Sequence, residues 1–323
     1  MVPRILIAGL FAVAASAQTA ASTTDRTFFV PHVETPADLT SMVNAIRSVG
    51  DIRYVTGDFS QKAINVTGKS TELAFADWAT HELDNPTRGP GTHEYRLTAA
   101  DPSIVRIYYF NYIKTPQDIQ GVCNAVRSVA DVQRFFPYNA AAAIVARGSA
   151  DQMTAVDWIL HELDQPDFTK SSEDFPMPGL PGHVVKVFSV KNGSPQPLQE
   201  LVNLTRSIAD IQRFFPLNFP HAIVAQGTAE QIAIAGWVIQ QLDSAAPTPP
   251  LEYRTTDKFS PVISIAFLPQ TVTPQALMET VSTVRSATRM QRIFPNNLRK
   301  AIAMRGTPDQ ISRANLMLKE PIQ

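Results

Sequence analysis

Two stretches of the chain carry residue types that could begin a metal site. His81-Glu82-Leu83-Asp84 and His161-Glu162-Leu163-Asp164 each set a histidine and an aspartate three positions apart. On a helix that spacing places both on one face, as two zinc ligands would be placed, but zinc needs at least a third. The HExxH arrangement fails, because Asn85 and Gln165 stand where its second histidine belongs. A third, related stretch has Gln240 and Gln241 in place of His and Glu, so the pair reads as a solvated helix end and no metal is expected.

Other reaction chemistry is equally thin. The chain has no Gly-x-Ser-x-Gly elbow, no phosphate-cradling P-loop and no dinucleotide fingerprint. No catalytic residue and no cofactor is therefore expected. The enzyme alternative that stays open is an exported hydrolase whose site forms between modules. A different signal comes from Arg134-Phe135, Arg213-Phe214 and Arg292, each opening an Arg-Phe-Phe-Pro or Arg-Ile-Phe-Pro string. Arginine and aromatic residues are the types enriched at interface anchors, which makes these five residues the candidates for binding a protein partner. The same string also reads as rings that fill a core behind a solvated arginine.

The elements that would position these residues are organised by a repeat. Strings beginning at Arg47, Arg127, Arg206 and Arg285 are spaced by 80, 79 and 79 residues, and Gly68, Gly148, Gly227 and Gly306 keep the same register, as do Trp78, Trp158, Trp237 and Leu316. Each copy opens on a strand-like run such as 105–112. Thr35, Thr115, Ser194 and Thr273 then precede a proline, the signature of a capped helix start, with Asp38 and Asp118 at the third helical position in two copies. Leu39, Met42, Val43, Ile46 and Val49 follow at helical spacing in the first copy, and Ile119, Val122, Cys123, Val126 and Val129 in the second. A short hairpin comes next. A second helix closes the copy, with Ser149, Thr228 or Thr307 as cap and Gln152, Gln231 or Gln310 three residues on. The order is βαββα, and the fold class is α+β: four tandem modules at 27–86, 104–166, 184–245 and 262–323. Proline-containing stretches at 86–102, 165–181 and 245–261 read as semi-stiff spacers, with Tyr95-Arg96-Leu97 and Leu251-Glu252-Tyr253 able to add a short strand. Whether the modules make a rigid rod or a flexible string stays open at this level.

Residues 1–17 read as a secretory signal: Arg4 is a short basic region, 5–15 an apolar run, and Ala15-Ser16-Ala17 a small-x-small cleavage pattern. The apolar run is shorter than the roughly 20 residues that span a bilayer, so export is expected, to the periplasm or beyond, with no transmembrane segment in the mature chain. Cys123 is the sole cysteine, so no disulfide can form within the chain, and its place on an apolar helix face implies a buried, inert thiol.

Within each module, the asparagine before a small, apolar run (139–148), the glycine-led second helix and the closing Leu163-Asp164-Gln165-Pro166 carry a resemblance. Leu83-Asp84-Asn85-Pro86 and Leu242-Asp243 repeat the closing motif. The pattern resembles the N-domain repeats of bacterial secretins, whose βαββα fold is KH-like. That resemblance implies binding to other components of secretion or pilus machinery, without chemistry. The long β-rich pore region of a secretin has no counterpart in this sequence, so the resemblance implies an accessory or interaction protein. Nucleic-acid binding, the other use of a KH-like fold, needs a Gly-x-x-Gly loop inside a module. The match in the mature chain, Gly179-Leu-Pro-Gly182, lies in a spacer, and the net charge of -1, from 28 basic and 29 acidic residues, supplies no field for a polyanion. A protein partner is expected and a nucleic acid is not.

Overall fold

The structure is a computed structural model that describes residues 23–98, 100–244, 251–255 and 261–319. The expected export signal at 1–17, part of the third spacer and the last four residues lie outside the described residues.

Four βαββα modules follow one another. The first holds β1 (Thr24–Phe29), α1 (Pro36–Gly50), β2 (Tyr54–Asp58), β3 (Ala63–Gly68) and α2 (Ser70–Leu83). The second adds a leading strand: β4 (Gly91–Thr98), β5 (Asp101–Tyr109), α3 (Pro116–Val129), β6 (Arg134–Tyr138), β7 (Ala143–Gly148) and α4 (Ala150–Leu163). The third runs β8 (Phe175–Pro176), β9 (His183–Ser189), α5 (Pro195–Ala209), β10 (Arg213–Leu217), β11 (Ala222–Thr228) and α6 (Ala229–Asp243). The fourth runs β12 (Glu252–Tyr253), β13 (Val262–Phe267), α7 (Pro274–Thr288), β14 (Arg292–Asn296), β15 (Ala301–Gly306) and α8 (Pro308–Lys319). Pairing is antiparallel throughout, in the orders β1-β3-β2, β4-β5-β7-β6, β8-β9-β11-β10 and β12-β13-β15-β14.

The helix starts form as their residues dictate. Thr35, Thr115 and Thr273 accept the N–H groups of Asp38, Asp118 and Ala276 at 3.1, 3.2 and 3.2 Å, while Ser194 makes no such side-chain bond. Each cap satisfies a donor that a helix N-terminus leaves unpaired. Ser149, Thr228 and Thr307 exchange bonds with Gln152, Gln231 and Gln310. These glutamines do more. Gln152 and Gln231 also donate to the carbonyls of Asp131 and Asp210, both at 2.6 Å, which end the preceding helices in the left-handed region at φ 55° and 62°. The start of each second helix is thereby tied to the end of the first. The repeated arginines have a partner besides the helix dipole. Arg47, Arg206 and Arg285 donate to the carbonyls of Val55, Phe214 and Ile293 at 2.7, 2.6 and 2.7 Å, each the second residue of the following strand.

Two of the spacers hold strands where 95–97 and 251–253 allowed one, and the second spacer holds one as well. The strands β4, β8 and β12 pair with β5, β9 and β13, so the sheets of the later modules begin ahead of 104, 184 and 262. In Phe175-Pro176 the proline argues against a strand, yet β8 is an edge of its sheet, where a missing N–H costs little.

Candidate functional site

In a strand, successive side chains point to opposite faces. In β5, Ile104 and Tyr108 pack with α3 and α4 of their own module, while Val105, Ile107 and Tyr109 pack with α1 and α2 of module 1. β7 divides likewise: Ile144 and Ala146 face inward, and Ala143 and Val145 face module 1. The same division holds at the next two junctions. Val185, Val187, Ala222 and Val224 of module 3 join the core of module 2, and Ile263, Ile265, Ala301 and Ala303 of module 4 join that of module 3. Each of the three seams is thus a continuous hydrophobic core, and the modules form a stack in the manner of a solenoid.

Polar and aromatic residues fix the geometry of these seams. Trp78 packs on Tyr95 of β4 with ring centroids 5.1 Å apart, Trp158 stacks on Phe175 of β8 at 4.8 Å, and Trp237 lies 5.8 Å from Tyr253 of β12. The leading strand of one module therefore covers the second helix of the one before. At the far end of each first helix, an arginine of the next module meets an unpaired carbonyl. Arg147 donates to Val49 at 2.7 Å and Arg305 to Ile208 at 2.7 Å. At the middle seam Gln226 stands at this position, and Arg213 reaches the carbonyl of Val129 at 3.3 Å instead. A cation there complements the negative end of the helix dipole.

This geometry places the five partner-binding candidates. Phe135 and Phe214 lie in the cores of their own modules, 1% and 0% exposed. Arg134, Arg213 and Arg292 point across the seams, to Asp51, Asp131 and Asp210 at 3.0, 3.6 and 2.9 Å. These ion pairs are half open to water and contribute at most about 1 kcal/mol each, so they orient more than they stabilise. The surface that the three arginines meet is the neighbouring module of the same chain, while the two rings stay inside their own.

The stack's two end faces differ from its seams. The outward face of the first sheet carries Asp25, Thr27, Thr56, Asn65 and Thr67 beside the exposed rings of Phe29 and Tyr54, where the other sheets are largely apolar and covered. On α7, Thr280, Thr283 and Ala287 occupy the places of Met42, Ala45 and Val49, which receive the next sheet in module 1. Arg289 replaces the acceptor of the seam ion pairs, and Leu316, 65% exposed, replaces the tryptophan.

His81 and His161 are exposed, and among the described residues no three His, Cys, Asp or Glu side chains are placed to hold a metal. The aspartates beside them have a structural task that the sequence did not disclose. Asp164 accepts the backbone N–H groups of Asn111, Tyr112 and Ile113 at 2.7, 2.8 and 3.1 Å. Asp84 and Asp243 do the same for His32 and for Lys191 and Asn192. The closing Leu-Asp motif is a latch from the end of each of the first three modules to the loop after its first core strand. Its recurrence in three copies was the available signal.

No family model matches the chain, and no curated protein matches it. Among solved structures, the chain is similar to the N-terminal domain of the secretin XcpQ from Pseudomonas aeruginosa, at 14% identity over 42% of this chain and 62% of that one, with a TM-score of 0.19. It is also similar to Aeromonas hydrophila ExeD, at 11% identity over 68% and 40% with a TM-score of 0.17. A third similarity is to the Salmonella SPI-1 type III secretion injectisome basal body proteins InvG, PrgH and PrgK, at 12% over 51% and 32% with a TM-score of 0.18. The chain spans less than two thirds of the length of each.

Cys123 is 2% exposed and its thiol faces the carbonyl of Phe135 at 3.4 Å. Burial pushes its pKa from 9.0 up to about 12. The neutral thiol is thus favoured in the folded chain. Its contribution to stability is complete below pH 9 and is lost as pH rises from there toward 12, at about 1.4 kcal/mol per pH unit. Urea titrations between pH 9 and 10 should show that slope, and a Cys123→Ala chain should show a shallower one there; above pH 10 the buried hydroxyls of Tyr108, Tyr109 and Tyr138, also pushed up by burial, add their own loss in both chains. A thiol reagent should label the native protein only as fast as it opens.

Proposed function

We propose that the chain is an exported, non-enzymatic binding protein, a stiff four-module scaffold that serves an envelope secretion or pilus system. The observation that carries this reading is the set of seams. With each core shared by two modules, the distance and orientation between surfaces on different modules are held, which is what a scaffold must supply and a flexible string does not. The signal-like residues 1–17 support export, and the module pattern's resemblance to secretin N-domain repeats supports the setting. Among the described residues no helix is long and apolar enough to cross a membrane.

Affinity recovery from an envelope extract of the source cells tests the reading, with residues 18–323 as bait. Specific recovery of secretion or pilus components is the expected result. Recovery of no such component, together with turnover in a broad hydrolase screen, would replace the scaffold with an enzyme whose site forms between modules.

A further inference from the structure

The strands β5, β9 and β13 hold equivalent places in their sheets, and each is covered on its outer side by a leading strand, β4, β8 or β12. β1 holds the same place in module 1. Among the described residues nothing pairs with its outer side. The backbone groups concerned are identifiable from the other copies. Val187 accepts the N–H of Ser172 at 2.9 Å, and Ile265 donates to the carbonyl of Leu251 at 3.0 Å. Thr27 is their counterpart in β1, facing Asn65 as they face Val224 and Ala303. An edge with such unpaired groups is a template for another strand.

The three covering segments also share a chemistry. Each sets an acid before an aromatic residue: Glu94-Tyr95, Asp174-Phe175 and Glu252-Tyr253. The aromatic goes to the seam tryptophan, and the acid goes to the covered strand. Glu94 accepts two bonds from Arg106 at 3.0 and 2.7 Å, Asp174 accepts one from Lys186 at 2.7 Å, and Glu252 lies opposite Ser264. The residue of β1 at the place of Arg106 and Lys186 is Arg26. It keeps the helix-side acid, Asp77 at 3.4 Å, as Arg106 keeps Asp157. The acid from a covering strand is what it lacks, and its side chain is 53% exposed against 17% for Arg106.

We propose that the open edge of β1 docks an extended strand of a partner protein, antiparallel to β1, with a carboxylate opposite Arg26. This rests on the binding-scaffold reading and names the surface and the partner's chemistry. Residues 1–22 contain no Asp or Glu, so they do not supply the carboxylate. The aromatic is dispensable at this site, because among the described residues no tryptophan lies on the outer side of the first sheet to receive it.

The test uses the full mature chain, labelled with nitrogen-15, and as probe the synthetic octapeptide GTHEYRLT, the sequence of β4. At millimolar peptide the amide signals of Asp25, Thr27 and Phe29 should shift. Glutamine in place of the peptide's glutamate should weaken binding at least about tenfold, as the loss of a charge-assisted bond does. Arg26→Glu in the chain should do the same, with recovery when the peptide's glutamate is made lysine. Thr27→Pro, tolerable at an edge strand, should abolish the shifts. Unmoved β1 signals, shifts confined to other strands, or β1 signals that change with protein concentration alone would overturn the proposal, the last by making a second copy the occupant. Extract recovery separates the two readings. If the natural chain and Arg26→Glu recover the same partner equally, the edge is wrong and the scaffold stands. If neither recovers any, the scaffold itself falls.

Discussion

Replacing Ile107 with aspartate is expected to detach module 1 from the rest of the stack while leaving modules 2 to 4 folded. Ile107 is fully buried, and it is buried between modules: its side chain packs with α1 and α2, on the face of β5 opposite Ile104 and Tyr108. Truncation to alanine alone should cost about 2–5 kcal/mol. A carboxylate adds desolvation without any partner in an apolar seam, so aspartate should cost more. The three tryptophans make this measurable, since each sits at a different seam. In a chain that keeps Trp78 and has phenylalanine at 158 and 237, urea should move the Trp78 fluorescence transition to lower concentration in Ile107→Asp, well ahead of the main loss of far-ultraviolet dichroism. Ile104→Asp, three residues away but in the core of module 2, should bring down module 2 itself. A single coincident transition in both variants would mean that the seam does not couple separable modules.

The repeat, the helix caps and the βαββα order were legible because they are local. The caps Thr35 and Ser149 act within three residues of themselves, and a strand such as β5 announces itself by composition. The seams were legible only in part. Residues 104–109 of β5 are apolar on both faces except at Arg106, which is how a strand covered on both sides reads. In β1 the matching positions are Asp25, Thr27 and Phe29, so one face of that sheet is open to water. That contrast was in the sequence, but its meaning depends on which helices lie across the sheet, and those belong to another module about 80 residues away. The acid–aromatic pairs of the covering strands were hidden for another reason. Two of them sit at the two-residue strands β8 and β12, which have too little length to show alternation, and the link among the three pairs depends on what each strand covers. Asp164 was visible as part of a closing motif and as a possible ligand, while its task depends on three backbone amides more than fifty residues upstream.

Phe214→Ala is expected to cost about 3–5 kcal/mol of module 3's stability, the price of emptying a ring-sized space in a closed core. Phe214 is 0% exposed, tilted against Phe188 at a centroid distance of 6.3 Å, and clustered with Leu201, Ile208 and Val238. Its neighbour Phe215 points the other way, into the core shared with module 2, and is only partly buried there. Phe215→Ala should therefore cost less and should loosen the seam that Trp158 reports, whereas Phe214→Ala should lower the midpoint that Trp237 reports. The Arg-Phe-Phe string thus alternates in its duties: Arg213 reaches back to the helix end at Val129, Phe214 fills its own module, and Phe215 fills the seam. Urea midpoints for the two variants, read by single-tryptophan fluorescence, check this division. A Phe214→Ala chain with an unchanged midpoint that fails to recover the natural chain's partner would instead make the string a contact surface for another protein. The expected order is the reverse, because a ring with no exposed area has no surface to offer until its module opens.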